Sequence, residues 1–131
     1  MEMCSHYEYI MPVEEQEKLI VPINLQRTAQ SLNPVQLRSD LTCVAQKGAT
    51  LTFSLQKCGH DEFPQRITTC QATTDGEVAA CGAPNEKIAV RALMKSPPHK
   101  RIIMAKDAKH VGVGRDGFKD GKLGWYFYVF D

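Results

Sequence analysis

The run Trp125-Tyr126-Phe127-Tyr128-Val129-Phe130 limits the folds open to this chain more than any other feature. Successive side chains of a strand point to opposite faces of its sheet, so a strand apolar at every position must be covered on both sides. It therefore belongs in the middle of a sheet with helices above and below. His110-Val111-Gly112-Val113-Gly114 alternates with period two and supplies a neighbouring strand. Between the two lie Asp116-Gly117 and Asp120-Gly121, a pairing typical of tight turns.

The first two-thirds of the chain have a different period. A helix is expected after Met11-Pro12, with Glu14, Glu15 and Glu17 near the positive end of its dipole. Pro22 should kink or split it, leaving a second stretch from about Ile23 to Ser31 that stops at Asn33-Pro34. Ser39 reads as an N-cap, and Leu41, Val44, Ala45, Gly48, Thr52 and Leu55 recur at helical spacing up to a stop near Gly59. Residues 59 to 83 read as loop, with a short helix near Phe63 to Thr69. Pro84 opens another helix, largely apolar, that ends at Ser96-Pro97-Pro98. Helices first and a hairpin last give an α+β fold, an α-β-α sandwich with an antiparallel sheet between helical layers. One domain suits 131 residues, with residues 1–12 as a loosely ordered segment ahead of it.

Several classes fall away. Sixteen basic against fifteen acidic residues give a net charge of +1, so no whole-chain field draws the protein to nucleic acid. No run approaches the roughly 20 apolar residues of a membrane span. Residues 1–20 carry five Glu and no apolar stretch, so they do not read as a signal peptide. Gly112-Val113-Gly114 is followed by turns and not by a helix, which excludes a phosphate loop. Lys95, Lys100, Arg101, Lys106 and Lys109 form a basic run around His99, a pattern usual for solvated surface and suited to steering an acidic partner or lipid headgroups.

Five cysteines, Cys4, Cys43, Cys58, Cys70 and Cys81, show no C-x-x-C spacing, so a structural zinc site is not expected. Two readings stay open: reduced thiols, or one or two disulfides with a thiol left over. Cys70 and Cys81 bracket the turn signal Asp75-Gly76, and that pair is the expected bridge if one forms.

Several of these segments, taken in order, resemble the CAP superfamily, the cysteine-rich secretory, antigen five and pathogenesis-related proteins, in its compact bacterial form. Asn24-Leu25-Gln26-Arg27 with Leu32-Asn33-Pro34-Val35-Gln36-Leu37, Gly59-His60-Asp61, Gly76-Glu77, Ser96-Pro97-Pro98-His99 and the Gly-Val-Gly and aromatic strands carry the likeness. Val78 stands where that family has the Asn of Gly-Glu-Asn, and Leu93 where it has Trp. The resemblance implies a secreted or periplasmic domain, monomeric, that binds a lipid, a sterol or a partner protein without catalysis. It also implies a cleft where His60, Glu77 and His99 meet and hold a divalent metal such as zinc. The alternative is a metal-dependent hydrolase using those three residues, and a third reading is a structural domain with a vestigial site. No Ser or Cys is tied by pattern to a His and a third group, which weighs against nucleophilic catalysis.

Overall fold

The structure, a computed structural model, describes residues 11–117 and 123–131. Cys4, the first ten residues of the expected loose segment and the Asp120-Gly121 turn lie outside the described residues. In chain order the elements are α1 (Val13–Ala29), β1 (Gln36–Leu37), α2 (Ser39–Leu55), α3 (Phe63–Cys70), β2 (Gly76–Ala83), α4 (Glu86–Met94), α5 (Pro97–Ile103), β3 (His110–Asp116) and β4 (Gly124–Phe130). The sheet order is β1-β3-β4-β2. The aromatic strand β4 lies inside it, antiparallel to both β2 and β3. The expected wholly antiparallel sheet gains one exception, since the two-residue β1 runs parallel to β3.

Residue parity in the strands divides the core in two. Tyr126, Tyr128 and Phe130 join Val78, Val111 and Val113 on the face packed by Leu19, Ile23, Val90, Leu93 and Ile103 of α1, α4 and α5. Phe127 and Val129 point the other way, onto Leu41, Val44, Ala45 and Ala49 of α2, with Phe63 and Ile67 of α3 at the margin. Trp125 shares that face and meets Phe53 of α2 edge-on at 5.6 Å.

The alternation in β3 now has a cause. Val111 and Val113 face one core, while Gly112 and Gly114 face α2 and let its backbone lie directly on the strand. A Cβ on Gly112 would stand 2.0 Å from the Leu41 carbonyl carbon, and one on Gly114 would stand 2.4 Å from the Gln46 nitrogen. Gln46 fastens the contact: its Nε2 donates to the Arg115 carbonyl at 3.0 Å, and its Oε1 accepts from the Arg115 N–H at 3.1 Å.

Four local expectations need correction. Pro22 does not split the first helix, because α1 runs unbroken from Val13 to Ala29. The carbonyl that loses its partner belongs to Lys18, four residues back on an exposed turn where water can satisfy it. α2 closes at Gln56, left-handed at φ 52°, and not at Gly59. α4 begins at Glu86 under an Asn85 cap, whose side chain accepts from the Ile88 N–H at 2.9 Å. The stretch after Ser96, read as a turn, is helix α5, with Pro97 in its first turn where no donor is needed.

The larger miss is β2. Gly-Glu-Val-Ala-Ala-Cys-Gly-Ala has little strand propensity of its own. It becomes a strand because β4 offers seven residues of pairing partners, from Phe130 opposite Gly76 to Gly124 opposite Ala83.

Arg27 joins α1 to the far end of the chain. It is fully buried and donates to the carbonyls of Asn33, Ile103, Ala105 and Ala108 at 2.8 to 3.2 Å. Burial pulls its pKa down, and five fixed donors match four fixed acceptors. Arg27→Lys keeps the charge but offers three donors from one point, so a fall of about 2 kcal/mol in unfolding free energy is expected from the abandoned carbonyls. Denaturant titration of both proteins measures it.

Candidate functional site

The α2–α3 face of β2 holds the polar centre of the domain. Glu77 precedes Val78 in the strand and points away from the core that Val78 enters, toward the side occupied by Ala79 and Cys81. Its side chain is 1% exposed, yet both carboxylate oxygens are satisfied. Arg66 of α3 donates to Oε1 from Nη1 at 2.7 Å and to Oε2 from Nη2 at 3.0 Å. His60 Nδ1 donates to Oε2 at 2.8 Å. The guanidinium is itself fixed by the Val44 carbonyl at 2.9 Å and the Asp61 carbonyl at 3.1 Å, and it lies 5.5 Å from the centre of the Phe63 ring.

Local sequence explains each placement. Arg66 occupies the inward stripe of α3 with Phe63, Ile67 and Cys70, and crosses α2 where Gly48 offers no side chain. A Cβ there would stand 2.7 Å from Nη1. Glu62 adopts a left-handed conformation at φ 58° ahead of α3, and the Phe63 N–H donates to the His60 carbonyl at 3.1 Å. His60 is thereby held over Glu77 with 46% of its side chain exposed. Donation from Nδ1 to a carboxylate fixes the tautomer of the neutral ring, with the lone pair on Nε2.

Two disulfides brace this centre: Cys43–Cys70 joins α2 to the end of α3, and Cys58–Cys81 joins the loop before His60 to β2. The expected Cys70–Cys81 bridge does not form. The turn at Asp75-Gly76 leads into β2 pairing with β4, and α3 packs on α2, so Cys70 meets Cys43 of α2 and Cys81 meets Cys58 of the loop before α3. On the chain-entropy model each bridge contributes about 3 kcal/mol. Peptide mapping of unreduced protein is expected to yield the 43–70 and 58–81 linked pairs and no 70–81 pair.

His60 and Glu77 meet as expected, and His99 does not join them. It lies half-buried on α5, whose Ile102 packs at Gly76 and whose Ile103 enters the core on the opposite face of the sheet. The reason is the helix that replaced the expected turn: docking Ile102 and Ile103 commits α5 to the other layer. Among the described residues, no group of three His, Cys, Asp or Glu side chains could hold a metal ion. The donors present do not fit a divalent cation. Both oxygens of Glu77 are engaged, and the bidentate Arg66 already supplies the positive charge that a metal would bring.

Arg66 is the functional-site member missed in the sequence. Its signal was available: an arginine on the apolar stripe of a short helix, at 63, 66, 67 and 70, has to meet a buried acceptor.

No family model and no curated protein matches the sequence. Solved structures do share its architecture. An outer surface protein of Borrelia burgdorferi superposes with a TM-score of 0.76 at 23% identity, covering 95% of this chain and 98% of that one. A cysteine-rich secretory protein from Staphylococcus aureus gives 0.64 at 19% identity, over 96% of this chain and 42% of its own. An extracellular protein from Bacillus anthracis with an SCP domain gives 0.68 at 12%, over 94% and 45%. The chain thus spans less than half the length of the latter two. It has the CAP fold, as the ordered motifs implied.

Proposed function

We propose that the protein is a secreted, non-catalytic binding module that engages a partner protein through the His60 loop. The observation that carries this reading is the saturation of Glu77: a carboxylate clamped by Arg66 and His60 orients the loop and is not available as a general base. Among the described residues, His60 has Glu77 as its sole side-chain partner, so no hydroxyl or thiol is poised for activation. Cys58, two residues before His60, is spent in a disulfide with Cys81. The rim around the ring is polar, with Lys57 and Glu62 exposed and Asp61 half-buried, which suits a protein surface better than a lipid tail. Two disulfides fit an oxidising compartment, and the structural neighbours include outer-surface and extracellular proteins.

A lipid or sterol reading has its own observation. An open groove of about 370 Å³ between α1 and the α4–α5 pair is lined by Leu32, Met94 and Met104 with Gln26, Gln30 and Lys100. Among the described residues, no helix is long and apolar enough to cross a membrane.

Purified protein is expected to show no ester or peptide hydrolysis above background, with or without a chelator. Turnover that disappears on chelation or in His60→Gln, a substitution at an exposed ring, overturns the binding-module reading.

A further inference from the structure

Four arginines of this protein do structural work: Arg27 caps carbonyls, Arg38 pairs with Asp40 and Asp131, Arg66 pairs with Glu77, and Arg115 pairs with Glu15. Residues 87–109 behave differently. They hold seven Lys and Arg against Asp107 alone, a net charge of +6, while the other residues carry nine cations and fourteen acids, net −5. The near-zero total thus conceals a strongly divided surface.

All seven cations are exposed, and among the described residues none makes an ion pair or a side-chain hydrogen bond. Lys87 and Arg91 on α4 and Lys95 at its C-cap recur every fourth residue, a row about 12 Å long with a charge about every 6 Å. Lys100 and Arg101 follow on α5, which packs against α4 in the same layer. Lys106 and Lys109 extend the positive surface toward β3. Like charges at four-residue spacing repel one another by a few tenths of a kcal/mol each, and no internal acid offsets that cost.

We infer that this face binds a linear anionic polysaccharide, a sulfated or uronic-acid glycan. A row of cations matches a chain of repeating charges and gains by releasing its counterions. Two other polyanions fit less well. Residues 87–109 contain no Phe, Tyr or Trp, so single-stranded nucleic acid lacks the large aromatic platforms on which its bases stack. None of the exposed large hydrophobics, Val13, Val21, Leu25, Leu55 and Leu123, falls within the segment, and Met94 and Met104 are half-buried in their groove, so no large apolar side chain projects for insertion into a bilayer. The face is separate from His60, which lies across the sheet.

The test is calorimetry of the intact, oxidised protein with heparin and with a polyuronate, beside uncharged dextran, phosphatidylserine vesicles and oligo-dT. Both anionic glycans are expected to bind and dextran not. Five contacts predict roughly a hundredfold loss of affinity between 50 and 200 mM salt. The variant Lys87→Gln/Arg91→Gln/Lys95→Gln should weaken binding roughly tenfold or more, with its melting temperature confirming the fold. Lys100→Gln/Arg101→Gln should do the same from the other helix, and Lys18→Gln should change nothing. Absence of glycan binding at 50 mM salt overturns the inference, as does binding that survives both multiple variants. Tighter binding to the vesicles or to oligo-dT assigns the face to a different partner and overturns it too.

Discussion

Gly112→Ala is expected to leave the protein unable to reach its native fold. The new methyl group would lie 2.0 Å from the Leu41 carbonyl carbon and 2.1 Å from the Thr42 nitrogen. Both are backbone atoms inside α2, and no rotamer change can move them. Relief requires lifting the helix from β3, which would open the core formed by Leu41, Val44 and Ala45 against Phe127 and Val129 and pull Gln46 from Arg115. Overpacking that can relax costs about 1–3 kcal/mol. Here the obstacle is rigid, so a loss above about 4 kcal/mol is expected, a large part of the 5–15 kcal/mol typical of a domain. Gly114→Ala meets Gln46 and Ala45 in the same way. Gly82→Ala provides the contrast, since it has φ 93° but nothing within 4 Å, and should cost about 1 kcal/mol through backbone strain. Circular dichroism melts of the three variants rank them. A Gly112→Ala protein melting within a few degrees of wild type would show that α2 does not rest on β3 as described.

The second large effect lies at the site itself. Glu77→Ala removes the carboxylate paired with a guanidinium whose side chain is 5% exposed, and the stranded charge should cost about 3–5 kcal/mol. The pair is less valuable than that figure suggests, because both partners were dehydrated to form it. Glu77→Ala combined with Arg66→Met, which removes the charge and keeps apolar bulk beside Phe63, should therefore be more stable than Glu77→Ala alone. Denaturant unfolding of the two singles and the double closes the cycle. Additive losses would show that Arg66 and Glu77 do not depend on each other. His60→Ala should cost far less, since its side chain is nearly half exposed and its bond to Oε2 is one of three that Glu77 accepts.

Both experiments probe features that differed in their legibility. The Gly-Val-Gly alternation identified β3 from the sequence alone, and the two-faced apolarity of residues 125–130 correctly demanded a central strand with helices on both sides. These are properties of side-chain type and order, and they hold wherever the chain goes. The reason for the glycines was not legible, since it lies in the backbone of a helix some seventy residues earlier.

The site divides along the same line. His60 and Glu77 were found by resemblance, and their contact follows from the loop before α3 being tied to β2, where Cys58 bridges to Cys81. His99 was misplaced because Ser-Pro-Pro-His reads as a turn when only local preference is weighed. Proline is equally at home in the first turn of a helix, and two isoleucines seeking a core decide between the two. Strand β2 was missed for a related reason: an Ala- and Gly-rich segment takes its conformation from β4, not from itself. The cysteines show the limit most plainly. Their number and spacing admit several pairings, and which sulfurs meet depends on how α2, α3 and β2 stack. Composition, period and motif order determined the fold class and singled out His60 and Glu77, which meet. The disulfide pairing, the Arg66 clamp and the exclusion of His99 were decided by packing, because each requires residues far apart in the chain to compete for the same few ångströms of space.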